Sequence, residues 1–135
     1  MVKDEKNKYH FMFCPEAPEV LFQDYGSGTL QNGFAHIMLD KLLVRNIHVD
    51  EKHPLKVFIQ LEGDCNGVFV TNKTPNGFDV RELQKGKSNV SFTWTIVASR
   101  ADDKDETGKV ISRFADIRFP DAPDLPKLQT VSKQQ

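Results

Sequence analysis

The chain has 135 residues, 39% hydrophobic and 27% charged, enough for one ordinary globular domain and too few for two. Eighteen basic against nineteen acidic residues leave a formal charge of −1, so no positive excess exists to grip a phosphate backbone or an anionic lipid surface, and nucleic acid is not an expected partner. No apolar run reaches the ~20 residues that cross a bilayer, and the opening Met-Val-Lys-Asp-Glu-Lys-Asn-Lys has no secretory hydrophobic stretch, so a soluble chain without membrane insertion is expected.

In chain order, residues 1–8 read as a flexible segment, 9–14 as an outer strand and 20–24 as a strand. Gly26-Ser27-Gly28 and Asn32-Gly33 read as turns, the second a tight reversal between antiparallel neighbours. Ala35, Ile37 and Leu39 then alternate with Phe34, His36 and Met38, which is the period of a half-buried strand. Asp40 is placed to cap one helical turn over 40–44, after which the chain crosses over through Pro54. Val57, Ile59 and Leu61 alternate with Phe58 and Gln60. The loop Gly63-Asp64-Cys65-Asn66-Gly67 reads as a second hairpin turn into a strand over 67–72. Pro75-Asn76-Gly77 punctuates before a strand over 78–83, and Gly86-Lys87-Ser88-Asn89 before the clearest strand of all. There Val90, Phe92, Trp94, Ile96 and Ala98 share one face, and Ser91, Thr93 and Thr95 share the other. Residues 102–108 read as a charged hairpin tip and 109–119 as an outer strand.

Five of the seven prolines lie near the ends, which bounds an ordered domain at residues 9–120 and leaves 121–135 as a proline-containing tail. Seven or eight short strands with at most one short helix specify an all-β, antiparallel two-sheet sandwich. Phe22, Phe34, Phe58 and Phe69 exceed what one small core requires, so part of this apolar surface is expected to face another subunit.

Catalytic and metal chemistry is sparse. Ser27 lacks the Gly-x-Ser-x-Gly frame of a nucleophile elbow, and no glycine-rich dinucleotide loop is present. His10, His36, His48 and His53 form no His-x-His or His-Glu-x-x-His spacing, so they read as surface or structural residues and no metal site is expected. The calcium-loop echo at Asp64 fails because its twelfth position is Pro75. Cys14 and Cys65 form no Cys-x-x-Cys pair and read as two free thiols, with a single bridge as the alternative. Asp24, Asp40, Glu62 and Asp64 are the carboxylates from which a glycosidase pair would have to be drawn, a minor reading on a sandwich surface. Aromatic side chains beside amides suit sugar contact, so Tyr25, Asn66, Phe69 and Asn72 are the candidate ligand-binding residues. No cofactor is expected.

The series Phe22-Gln-Asp-Tyr-Gly-Ser-Gly-Thr-Leu-Gln-Asn-Gly-Phe-Ala-His-Ile-Met-Leu-Asp40 resembles the opening of a β-rich C-terminal domain of bacterial, Bacteroidetes-type, fibre-like tail-fibre surface proteins. The likeness continues through residues 56–74, Gly77-Phe78-Asp79-Val80 and residues 88–100, ends in Phe119-Pro-Asp-Ala-Pro123, and covers about residues 9–120. It departs at Lys41, where the family pattern often carries proline. The resemblance implies a non-catalytic terminal module, extracellular or on a tail-like particle. It would be homotrimeric, cap the fibre during assembly, and attach to a cell-surface glycan or other receptor. A carbohydrate-binding module is the alternative, and a glycan-cleaving hydrolase the less favoured one.

Overall fold

The computed structural model describes residues 2, 3, 5–11 and 16–121. Seven strands build an antiparallel sandwich. One sheet centres on β9 (Ser91–Arg100). Along one side it pairs in register with β3 (Leu21–Thr29), and along the other with β6 (Lys56–Leu61) and, near its end, the two-residue β5 (Ile47–His48). In the second sheet β8 (Gly77–Glu82) lies between β4 (Phe34–Met38) and β7 (Val68–Thr74). Strands β1 (Val2–Lys3) and β2 (Tyr9–His10) form a separate two-residue ladder, so pairing reaches into the segment expected to be flexible. Strands β10 (Asp103–Lys104) and β11 (Val110–Ser112) form the hairpin expected at the charged tip.

The alternation of apolar residues decides how the sheets face each other. Phe92, Trp94, Ile96 and Ala98 of β9 are buried, and Phe78 and Val80 of β8 are fully buried opposite them. The Phe78 and Trp94 rings meet edge to face, with centroids 5.8 Å apart, the arrangement that aligns the positive edge of one ring with the negative face of the other. Leu30 and Leu55, both in connections, are fully buried and close the core. Each such side chain contributes about 1.5–3 kcal/mol through the apolar surface it removes from water. Asp40 caps the helix as expected, its Oδ1 accepting the Leu42 N–H at 2.7 Å at the start of α1 (Lys41–Asn46).

Four local expectations need correction. Gly26-Ser27-Gly28 is no turn but the interior of β3, paired with Trp94, Thr93 and Phe92. A Cβ on Gly26 would lie 2.5 Å from Trp94 Cζ2, and one on Gly28 2.6 Å from Phe92 Cζ, so these glycines make room for large rings on the neighbouring strand. Asn32-Gly33 does form a tight turn, with φ of 52° and 79° and a Gln31–Phe34 bridge, yet it leads from one sheet into the other. Asn66-Gly67 likewise joins β6 and β7, which lie in different sheets; among the described residues the only long hairpin between consecutive strands of the sandwich is β7–β8, closed at Thr74 and Gly77. The outer strand expected over 109–119 is confined to β11, and beyond it the chain returns through a single Glu19–Arg118 bridge. Cys14 and the tail from residue 122 lie outside the described residues; Cys65 is a free thiol.

Candidate functional site

Strand parity places a row of side chains across the outer face of the β3–β9–β6 sheet. Tyr25 and Phe58 both pair with Thr95, so the order across the face is Tyr25, Thr95, Phe58. Tyr25 is 75% exposed and Phe58 59% exposed. Two inter-strand spacings separate their backbones by about 9.6 Å, and the rows on either side carry Gln23, Val97 and Lys56, and Ser27, Thr93 and Gln60. The face is flat, largely uncharged and rich in hydroxyls and amides, with two aromatic rings standing on it.

The outer face of the other sheet is different. Phe34 and Phe69 flank Arg81 in one cross-strand row, and the Arg81 guanidinium lies over the Phe34 ring, 4.9 Å from its centroid. Met38 is exposed farther along β4, and Leu83 is partly exposed just beyond β8. At the end of this row a hollow of about 500 Å³ opens between the Asn32-Gly33 turn and the 3₁₀ turn Leu83–Lys85. Gln84 and Lys85 in that turn both adopt left-handed backbone angles, with φ of 53° and 56°, a conformation that side-chain-bearing residues adopt at an energetic cost.

Two nearly buried carboxylates tie β8 to its surroundings, Asp79 to the neighbouring strands β4 and β7 and Glu82 to the loops carrying Asn66 and Ser88. Asp79 accepts from His36 Nδ1 at 2.6 Å and from Asn72 Nδ2 at 2.6 Å, and the His36 contact first, then the Asn72 contact, keeps its carboxyl below the usual carboxylate range. Glu82 accepts the Ser88 N–H at 2.7 Å and both the N–H and side-chain amide of Asn66. The Ser88 and Asn66 backbone donors hold Glu82 ionised below its ordinary range. His36 and Asp79 reproduce the base-and-orienter half of a catalytic triad, but among the described residues no serine, threonine or cysteine is hydrogen-bonded to that imidazole.

The four candidate ligand residues therefore divide. Tyr25 stands on one outer face and Phe69 on the other. Asn66 and Asn72 each spend their side-chain amide on a buried carboxylate, and Asn72 does so from a left-handed backbone with φ of 49° at an irregularity in β7. Among the carboxylates, Asp24 and Asp40 line one shallow hollow of about 320 Å³ beside Phe22 and Leu42, and Glu62 and Asp64 do not. Asp40 is already engaged as the helix cap and Asp24 accepts the N–H of Tyr25. Arg81 was legible only through parity: it falls on the face opposite Phe78 and Val80, between two phenylalanines whose strands sequence alone does not bring together.

Comparison with protein-family models, with curated proteins and with solved structures returns no match for this chain.

Proposed function

We propose that the domain is a non-catalytic terminal module of a fibre-like bacterial surface or tail-like protein, acting outside the cell as a homotrimeric cap that also attaches to a receptor. The observation that carries this reading is the pair of exposed aromatic rows, Phe34–Arg81–Phe69 on one outer face and Tyr25–Thr95–Phe58 on the other. An isolated domain leaves these rings in water, and a symmetric oligomer removes one set from it.

The Phe34–Arg81–Phe69 face suits contact between copies, because Met38 and Leu83 extend its apolar surface and arginine is favoured at such interfaces. Light scattering on the purified protein tests this part: a mass of three chains is expected, and a monomer at every concentration removes the trimer.

A carbohydrate-binding role has its own support in the Tyr25–Thr95–Phe58 face. Aromatic rings stack on the apolar faces of pyranose sugars, and the surrounding Gln23, Ser27, Gln60 and Thr93 supply uncharged donors and acceptors for their hydroxyls. A glycan array probed with wild type and with Tyr25→Ala and Phe58→Ala variants tests it. Loss of a glycan signal in both variants is expected, and an undiminished signal counts against this face. Asn66→Ala would instead report on stability, because it removes a donor from Glu82.

A further inference from the structure

We propose that His48, Asp50 and His53 form a binding site for a divalent first-row transition metal ion, with the zinc(II) class as its natural occupant. Their spacing, His-x-Asp-x-x-His, matches none of the short zinc motifs and gave no expectation of a metal site. The fold supplies the convergence that spacing does not.

His48 ends β5, whose register with β9 is set by the pairs Ile47–Arg100 and His48–Ser99. Ile47 is buried on one side of the following loop and Leu55 is fully buried on the other, so both ends of residues 48–54 are anchored. Within the loop, Asp50 Oδ1 accepts the His53 N–H at 2.7 Å, and the Asp50 N–H donates to the His53 carbonyl at 3.2 Å. These bonds fold His53 back over Asp50. The outcome is that His48 Nε2 lies 2.8 Å from Asp50 Oδ2, His53 Nδ1 lies 2.9 Å from Asp50 Oδ1, and the three donor atoms fall within 4.8 Å of one another.

Two imidazoles and one carboxylate brought this close together are the ligand set of three-ligand metal centres that keep a position open for water. Metal–ligand bonds of about 2.0–2.2 Å in a tetrahedron place ligand atoms roughly 3.3 Å apart, so an ion entering here spreads the two close pairs by about half an ångström and draws in the widest pair, which lies within 4.8 Å. Each ring exchanges its inward N–H for a metal bond and carries its proton on the other nitrogen. For His53 that outer nitrogen is Nε2, which faces Asp116 Oδ1 at 3.5 Å. A carboxylate behind a metal-bound imidazole fixes the tautomer and raises the ring's basicity. Asp116 is itself positioned, because Asp102 Oδ1 accepts the N–H groups of Phe114 and Ala115, and the Lys52 ammonium pairs with Asp116. The His53 side chain is only 11% exposed, whereas that of His48 is 42% exposed, leaving one side of the cluster open to solvent.

The test is calorimetric titration of untagged, chelator-treated protein with zinc chloride, repeated with cobalt(II) so that the visible absorption reports the coordination. One ion per chain is expected, with micromolar or tighter affinity. His48→Ala and His53→Gln abolish binding, Asp116→Asn weakens it roughly tenfold or more, and His36→Ala leaves it unchanged. Protection of His48 and His53 from diethylpyrocarbonate by zinc gives a readout on the wild-type protein that needs no variant. No saturable binding by the folded wild type, or binding that persists in both histidine variants, overturns the proposal.

Discussion

Gly28 shows how a residue without a side chain can be fixed by its neighbours. It lies opposite Phe92, and an added Cβ would also come within 3.0 Å of Ile37 Cδ1 in the facing sheet. Gly28→Ala is therefore expected to destabilise by about 1–3 kcal/mol through overpacking, measured by urea denaturation; a loss below about 0.5 kcal/mol would show that the rings have room to move. The buried carboxylates make a second prediction at this scale. Asp79 and Glu82 have lowered folded-state pKa values, so each favours the fold while ionised. That contribution is complete above the unfolded carboxylate range near ~4.3 and is lost as pH falls through the lower folded value. Thermal melts of wild type should therefore fall steeply below about pH 4.5, whereas Glu82→Gln should start from a lower melting temperature and fall less steeply; parallel curves would contradict the role given to Glu82. Neither carboxylate was legible in the sequence, since an acidic residue on a strand reads as solvated until its backbone donors are known.

At the scale of elements, alternation was the most informative signal. It placed Phe92, Trp94 and Ile96 on one face and set Phe58 on the face opposite Val57, Ile59 and Leu61, whereas Tyr25 fell outside the strand read over 20–24. It works because burial on one side of a pleated strand repeats every second residue. Glycine was ambiguous for a physical reason: the same residue serves a reversal, as at Gly33, and a close approach to a ring, as at Gly26. The Asn-Gly turns were correctly located and wrongly connected, because turn chemistry is local while sheet membership depends on distant partners. The helix was legible from its cap. Asp40→Ala removes the bond to the Leu42 N–H and is expected to destabilise by about 1 kcal/mol, read as a shift in the denaturation midpoint; no shift would mean that packing of Leu43 and Val44 alone holds the turn. The histidine cluster was not legible, because convergence of His48 and His53 depends on the anchoring of the loop by Ile47 and Leu55.

For the whole molecule, the two outer faces divide the proposed labour: a cationic, apolar face joins copies, and a flat hydroxyl-rich face meets the receptor. Among the described residues both sheets also end in strands with unpaired edges, β3 and β6 in one and β4 and β7 in the other, which the proposed association would shield. Within one chain the core closes between β8 and β9. Multi-angle light scattering of the wild type beside a Phe34→Ser/Phe69→Ser double variant tests the central claim most directly. The account predicts three chains for the wild type and one for the variant, with the circular dichroism spectrum unchanged. A wild type that stays a single chain at every concentration would contradict it.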